Sequence, residues 1–167
     1  MPPEEPKAQP LRVNELMTSS PRACSMHDSA NAAAQIMWEQ DCGAVPVLGD
    51  DGRVVGILTD RDVCMAAYFQ GRPLSGISVS SIMSTDVCTC RADDDLSQAE
   101  RLMQERQVNR LPVVEDGGIL VGMLSLCDVT QGFKRAGGLR QPNRAGQELL
   151  ETVAAIREPR SPKTLAS

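Results

Sequence analysis

Two seven-residue segments set a hydroxyl three residues ahead of a carboxylate: Gly56-Ile-Leu-Thr-Asp-Arg-Asp62 and Gly122-Met-Leu-Ser-Leu-Cys-Asp128. Both read glycine, two apolar residues, Ser or Thr, any two residues, then Asp. Each looks like a strand that runs into a helix N-terminus. Thr59 or Ser125 takes the N-cap, and Asp62 or Asp128 closes a capping box. A helix N-terminus presents free N–H groups and favours phosphate. The hydroxyl adds a donor. The carboxylate is a poor phosphate ligand but accepts well from a pair of ribose hydroxyls. Together they describe a nucleoside-phosphate site, and they occur twice. The plain alternative is that both pairs only cap helices.

The second occurrence belongs to a longer duplication. Val13 to Val63 aligns with Val79 to Val129 at a constant offset of 66, without a gap. Met17 meets Met83, Cys24 meets Cys90, Asp28 meets Asp94 and Pro46-Val47 meets Pro112-Val113. Two copies of one unit imply pseudo-twofold architecture with a site between them. A solenoid needs at least about three.

The elements that must position the motifs follow from the same alignment. A short strand near Ala23 to Met26 is echoed near Cys88 to Arg91. A helix comes next, with Asp28 or Asp94 placed to cap it. Its apolar stripe is Ala30, Ala33, Ile36 and Met37, repeated as Leu96, Ala99, Leu102 and Met103. Trp38 falls on the polar side of that stripe, as a subunit contact or as partial core. A strand over Gly43–Leu48, a turn through Gly49-Asp-Asp-Gly52 and a strand over Val54–Leu58 form a hairpin. The second copy has Leu111–Val114 and Ile119–Leu124. Pro46 and Pro112 cannot donate to a ladder, so each is expected at a strand start or an edge. Helices over about 60–69 and 126–133 complete a β-α-β-β-α unit.

The expected fold is therefore α+β, an α/β-type sandwich of two pseudo-symmetric repeats packed sheet to sheet, plus a C-terminal amphipathic helix. Residues 1–10, with four prolines, read as a disordered leader. Residues 11–72 and 73–134 are the repeats. Residues 135–167 are a tail, with a helix over about 143–157 that Asn143 caps and Pro159 stops. Its stripe of Leu149, Leu150, Val153 and Ile156 packs either on its own domain or on a partner.

Composition removes several function classes. Aromatics are 2% of 167 residues, a scarcity that argues against base-stacking recognition of single-stranded nucleic acid. Net charge is −5; seven basic and three acidic residues from Lys134 onward leave −9 on the rest, which repels a polyanion. No apolar run approaches the roughly 18 residues of a membrane span. With no secretory segment, the six cysteines are expected reduced and the protein cytoplasmic. Cys88-Thr-Cys90 has no second pair and His27 is the only histidine, which argues against zinc. No Ser–His pair, P-loop or metal-ligand cluster suggests an enzyme.

Taken in order, the unit β-α-β-β-α, the Pro-Val strand and the Asp-bearing helix start resemble the cystathionine-β-synthase (CBS) domain. The tandem resembles a Bateman module over about Val13 to Phe133. The resemblance implies a stand-alone regulatory sensor that binds an adenosine-containing ligand (AMP, ADP, ATP or S-adenosylmethionine) in clefts between the repeats. It needs no other cofactor, and signals to a protein partner or through homodimer geometry. Asp62 and Asp128 then accept from ribose hydroxyls, and Thr59 and Ser125 contact ribose or phosphate. Arg61 pairs with phosphate; its twin is Cys127, and Arg110 supplies a cation instead. Backbone around Val45-Pro46 and Leu111-Pro112 flanks the adenine. The competing reading is a dimeric scaffold with non-functional pockets.

Overall fold

The structure, a computed structural model, describes residues 11–135 and 144–157. The leader, Asn143 and Pro159 lie outside them. The chain begins with α1 (Val13–Leu16) and β1 (Thr18–Ser19). The first repeat continues with β2 (Cys24–Ser25), α2 (Ala30–Glu39), β3 (Ala44–Leu48), β4 (Val54–Thr59) and α3 (Asp60–Gln70). The second has β5 (Cys90–Arg91), α4 (Leu96–Arg106), β6 (Arg110–Val114), β7 (Leu120–Ser125) and α5 (Leu126–Arg135); α6 (Arg144–Arg157) follows. Strand order is β2-β3-β4 in one sheet and β1-β7-β6-β5 in the other.

The leading segments are exchanged between repeats. β1 pairs with β7, joining Thr18 to Met123 and Ser19 to Gly122. The twin of that contact is the bridge between Ser84 and Ile57. Val13 N–H donates to Asp94 O (3.0 Å), and Val79 N–H to Asp28 O (2.9 Å). Val13 is buried with Cys90, Met103 and Leu111, whereas Val79 is buried with Cys24, Met37 and Val45. Each valine so buried contributes about 1.5 kcal/mol or more to a core built mostly by the other repeat. The pseudo-twofold axis passes where the twins Arg53 and Ile119 bridge each other.

Close approach explains the two motif glycines. A Cβ on Gly56 would fall closer than 3.0 Å to Met83 Sδ, and one on Gly122 equally close to Met17 Sδ. The space left open by each glycine is filled by a methionine from the other repeat's leading segment.

Two local expectations are corrected. α2 is capped by Ser29, whose Oγ accepts from Ala32 N–H (3.4 Å). Asp28 reaches back instead and accepts from Ser25 N–H (2.8 Å), and Asp94 accepts likewise from Arg91 N–H (2.8 Å). A short carboxylate one residue before the cap closes the preceding turn. Pro46 and Pro112 each stand third in a five-residue strand in the interior of a sheet. They are tolerated there for a specific reason. Ile57, opposite Pro46, spends its N–H and C=O on Ser84, so this pair exchanges no bonds. On the other side β2 reaches only Val47 and Leu48.

The buried thiols are chemically quiet. Burial, with Asp28 second, pushes the Cys24 thiol up to about 11; burial, with Asp94 second, pushes Cys90 up to about 12. Thiolate is the nucleophile. At pH 8, iodoacetamide is therefore expected to modify the exposed Cys64 and Cys127 well before Cys24 and Cys90. Peptide mass mapping over time checks this, and early labelling of Cys24 or Cys90 contradicts it.

Candidate functional site

Both motifs form the expected helix starts. Thr59 N–H and Thr59 Oγ1 donate to Asp62 Oδ2 (2.9 and 2.6 Å), and Asp62 N–H donates back to Thr59 Oγ1 (3.2 Å). Ser125 repeats this with Asp128 at 2.8, 2.6 and 3.1 Å. The exchange is reciprocal, so each hydroxyl and one oxygen of each carboxylate are committed to the cap. Asp62 Oδ1 and Asp128 Oδ1 have no hydrogen bond among the described residues. Both carboxylates are half-buried. A structural cap needs one oxygen; the second remains available to a ligand hydroxyl.

The strands bring other site candidates to the same ends. Ala44 pairs with Thr59 and Arg110 with Ser125. Val45, Pro46, Leu111 and Pro112 are buried, so they can offer a ligand only backbone edges. Arg110 leaves its own repeat. Its guanidinium flanks Gly43, where a Cβ would sit 3.5 Å from Arg110 Nη2 and 3.2 Å from Asp60 Oδ2. Arg110 Nη1 also donates to Asn109 Oδ1 (3.4 Å). Arg61 is exposed, and its guanidinium has no partner among the described residues.

A cleft of about 570 Å³ opens beside Arg110, between α2 and α3. Its walls include Met37, Trp38, Asp41, Gly43 and Asp60. Arg110 is the one predicted site residue in its lining. Asp60, Val63 and Cys64 share one face of α3 at helical spacing and line the cleft together. Asp62 lies on another side of that helix. Asp60 is not among the sequence-predicted site residues; the spacing of three and four residues along α3 is the signal that groups it with Val63 and Cys64. Among the described residues, no cluster of His, Cys, Asp or Glu is placed to hold a metal ion. None of their helices is long and apolar enough to cross a membrane.

The two ends are unequal. The α3 start has Arg61 and, from the other repeat, Arg110. The twin positions at the α5 start are Cys127 and the buried Ala44.

Fold and site define a class: a duplicated α+β module whose repeats exchange their leading segments and carry paired helix-start sites. The family model for the CBS domain matches residues 13–68 and 79–134, and the chain belongs to this family. It is 34% identical to the CBS domain-containing protein YhcV of Bacillus subtilis over 117 residues, 70% of this chain and 81% of that protein. A solved structure of CBSX2 in complex with AMP is 25% identical with a TM-score of 0.66, covering 75% of this chain and 98% of that one. The CBS domain pair of protein MJ0100, solved with 5′-methylthioadenosine and S-adenosyl-L-methionine, shares the fold. It is 22% identical, with a TM-score of 0.65 over 76% of this chain and 98% of that one.

Proposed function

We propose that this protein is a non-catalytic, cytoplasmic regulatory module that binds an adenosine-containing ligand between its repeats. One observation carries the reading. In both copies the motif carboxylate spends one oxygen on its helix cap and keeps the other free, at a helix N-terminus, as a ribose acceptor requires. Asp62 and Asp128 accept from ribose hydroxyls. The first-turn N–H groups of α3, with Arg61 and Arg110, receive a phosphate or carboxylate at the ligand's other end. The AMP and S-adenosylmethionine complexes of CBSX2 and MJ0100 supply the ligand class. The α5 end lacks both cations, so a phosphorylated ligand prefers the α3 end. Output passes to a protein partner or through association of two copies, because a ligand shifts an equilibrium only by its differential affinity for two states.

Thermal melting with AMP, ATP and S-adenosylmethionine tests the reading. Saturation at a hundredfold excess over Kd stabilises by about 2.7 kcal/mol. Asp62→Ala with Asp128→Ala weakens the helix caps as well, so the quantity compared is the shift between ligand-free and ligand-bound protein of the same variant. The double variant is expected to lose that shift. Absence of any shift in the unmodified chain at millimolar ligand discards the proposal in favour of a scaffold with non-functional pockets.

A further inference from the structure

The cleft beside Arg110 brings opposite charges together without pairing them. Asp60 Oδ2 and Arg110 Nη2 lie 3.2 and 3.5 Å from the point where a Cβ on Gly43 would stand. Among the described residues the two side chains form no ion pair. Asp60 spends Oδ1 on the Arg61 N–H (2.7 Å), and Arg110 Nη1 reaches Asn109 Oδ1 (3.4 Å). Oδ2 and Nη2 face the cleft uncommitted. Met37 and Val63 give it a buried apolar floor. Trp38, 88% exposed, and Asp41 wall it at the C-terminal end of α2.

The twin surface on repeat 2 lacks this chemistry. At the offset of 66, Asp41, Gly43 and Asp60 correspond to Gln107, Asn109 and Leu126, and Arg110 to Ala44. There α6 lies across α4. Gln104, the twin of Trp38, donates from Nε2 to Thr152 Oγ1 (2.7 Å), and Gln107 Nε2 donates to Ala155 O (3.4 Å). Leu149 and Thr152 are buried, and Val153 and Ile156 pack on the repeat 2 core. Among the described residues no further helix covers the repeat 1 cleft, and packing does not account for its charges.

We propose that the cleft between α2 and α3 binds an α-amino acid with a cationic side chain. The carboxylate pairs with Arg110 and the ammonium with Asp60. These two charges leave a single carbon, just as the two side chains flank a single glycine. The apolar stem lies on Met37 and Val63. The side-chain cation reaches Asp41 beside the Trp38 ring, where the C-terminal end of the α2 dipole also favours positive charge. Charge selects this class. The cleft is lined by Asp41, Asp60 and Arg110, and a zwitterionic head group matches the last two and leaves Asp41 for a cation. A diamine would leave Arg110 unmatched, and a dicarboxylate would meet Asp41. The volume of about 570 Å³ falls within the roughly 300–1,000 Å³ of small-molecule sites. The same chemistry has two sources: a free basic amino acid such as lysine, or the amino-acid end of S-adenosylmethionine, whose sulfonium is the cation. Only the second source rests on the adenosine reading.

The test uses the full chain and its single tryptophan, Trp38, which reports on the cleft directly. L-Lysine and S-adenosylmethionine are titrated separately, and at least one is expected to change Trp38 emission saturably, with calorimetry giving the same Kd. Cadaverine (lysine without its carboxylate) and norleucine (without the side-chain cation) are expected to bind at least about tenfold more weakly than lysine. Asp60→Asn and Arg110→Met are each expected to weaken binding about tenfold with an unchanged far-ultraviolet circular dichroism spectrum. Asp62→Ala with Asp128→Ala separates the sources. A lysine response that survives the double variant assigns the free amino acid. A response to S-adenosylmethionine alone, lost in the double variant and weakened by Asp60→Asn, assigns the ligand's tail. Either result upholds the head-group site. The proposal is overturned by no response to either compound, by a response that Asp60→Asn and Arg110→Met leave intact, or by a lysine response that the double variant removes. Cadaverine or norleucine binding as tightly as lysine overturns it too.

Discussion

Gly122→Ala is expected to destabilise the protein by about 1–3 kcal/mol, the usual cost of forcing a methyl into a filled core. Propensity alone predicts the opposite sign, because alanine within a strand gains about 0.5–1 kcal/mol over glycine. Packing wins here. The new Cβ meets Met17 Sδ closer than 3.0 Å, Met17 Cγ at 3.2 Å and the Thr18 carbonyl oxygen at 3.3 Å. The methionine can move, but the β1 backbone that pairs with β7 cannot move without breaking the Ser19–Gly122 register. Met17→Ala combined with Gly122→Ala should recover part of the loss, so that the two changes couple in a double-mutant cycle. Urea midpoints of the four proteins measure this. Simple additivity would show that the exchanged segment does not press on Gly122. Gly56 against Met83 is the internal replicate.

The second large effect is pH-dependent. Glu100 is buried on α4 beneath α6. Burial, with the Glu148 carboxylate second, pushes its pKa up to about 7. The folded state therefore holds its proton more tightly than the unfolded state, whose value is near 4.5. Below about pH 4.5 Glu100 is protonated in both states and costs nothing. As pH rises toward 7 the unfolded chain releases the proton first, and stability falls. Above about 7 the cost is complete, on the order of 3 kcal/mol at 1.36 kcal/mol per unit. Glu100→Gln is expected to be close to neutral at pH 4 and stabilising by up to about 3 kcal/mol at pH 8. Its twin in repeat 1 is Ala34, which carries no such penalty. Denaturation midpoints of the two proteins at both pH values decide the matter, and parallel profiles would refute it.

Local chemistry made much of the site legible. The Thr59–Asp62 and Ser125–Asp128 boxes form within four residues, so their hydrogen bonds follow from sequence spacing alone. The buried stripe of α2 is read from a 3.6-residue period, which likewise needs no distant partner. The capping error at Asp28 shows where such reading stops. Asp28 and Ser29 can both cap, and the choice depends on whether the preceding turn claims the carboxylate. Pro46 was misplaced for a nonlocal reason: its tolerance inside a sheet depends on Ile57 turning toward Ser84, a residue of the other repeat.

Sequence by itself determined the duplication, the order of elements in each copy and the unequal cations of its two ends. All of these are carried by residue identity and periodicity. Tertiary structure decided which repeat each leading segment completes. It also decided that Arg110 crosses to the Asp60 side of α3, and that α6 covers α4 while Trp38 stays open to solvent. Those outcomes rest on contacts between residues far apart in the chain, where identical local patterns permit more than one partner and only packing in three dimensions selects among them.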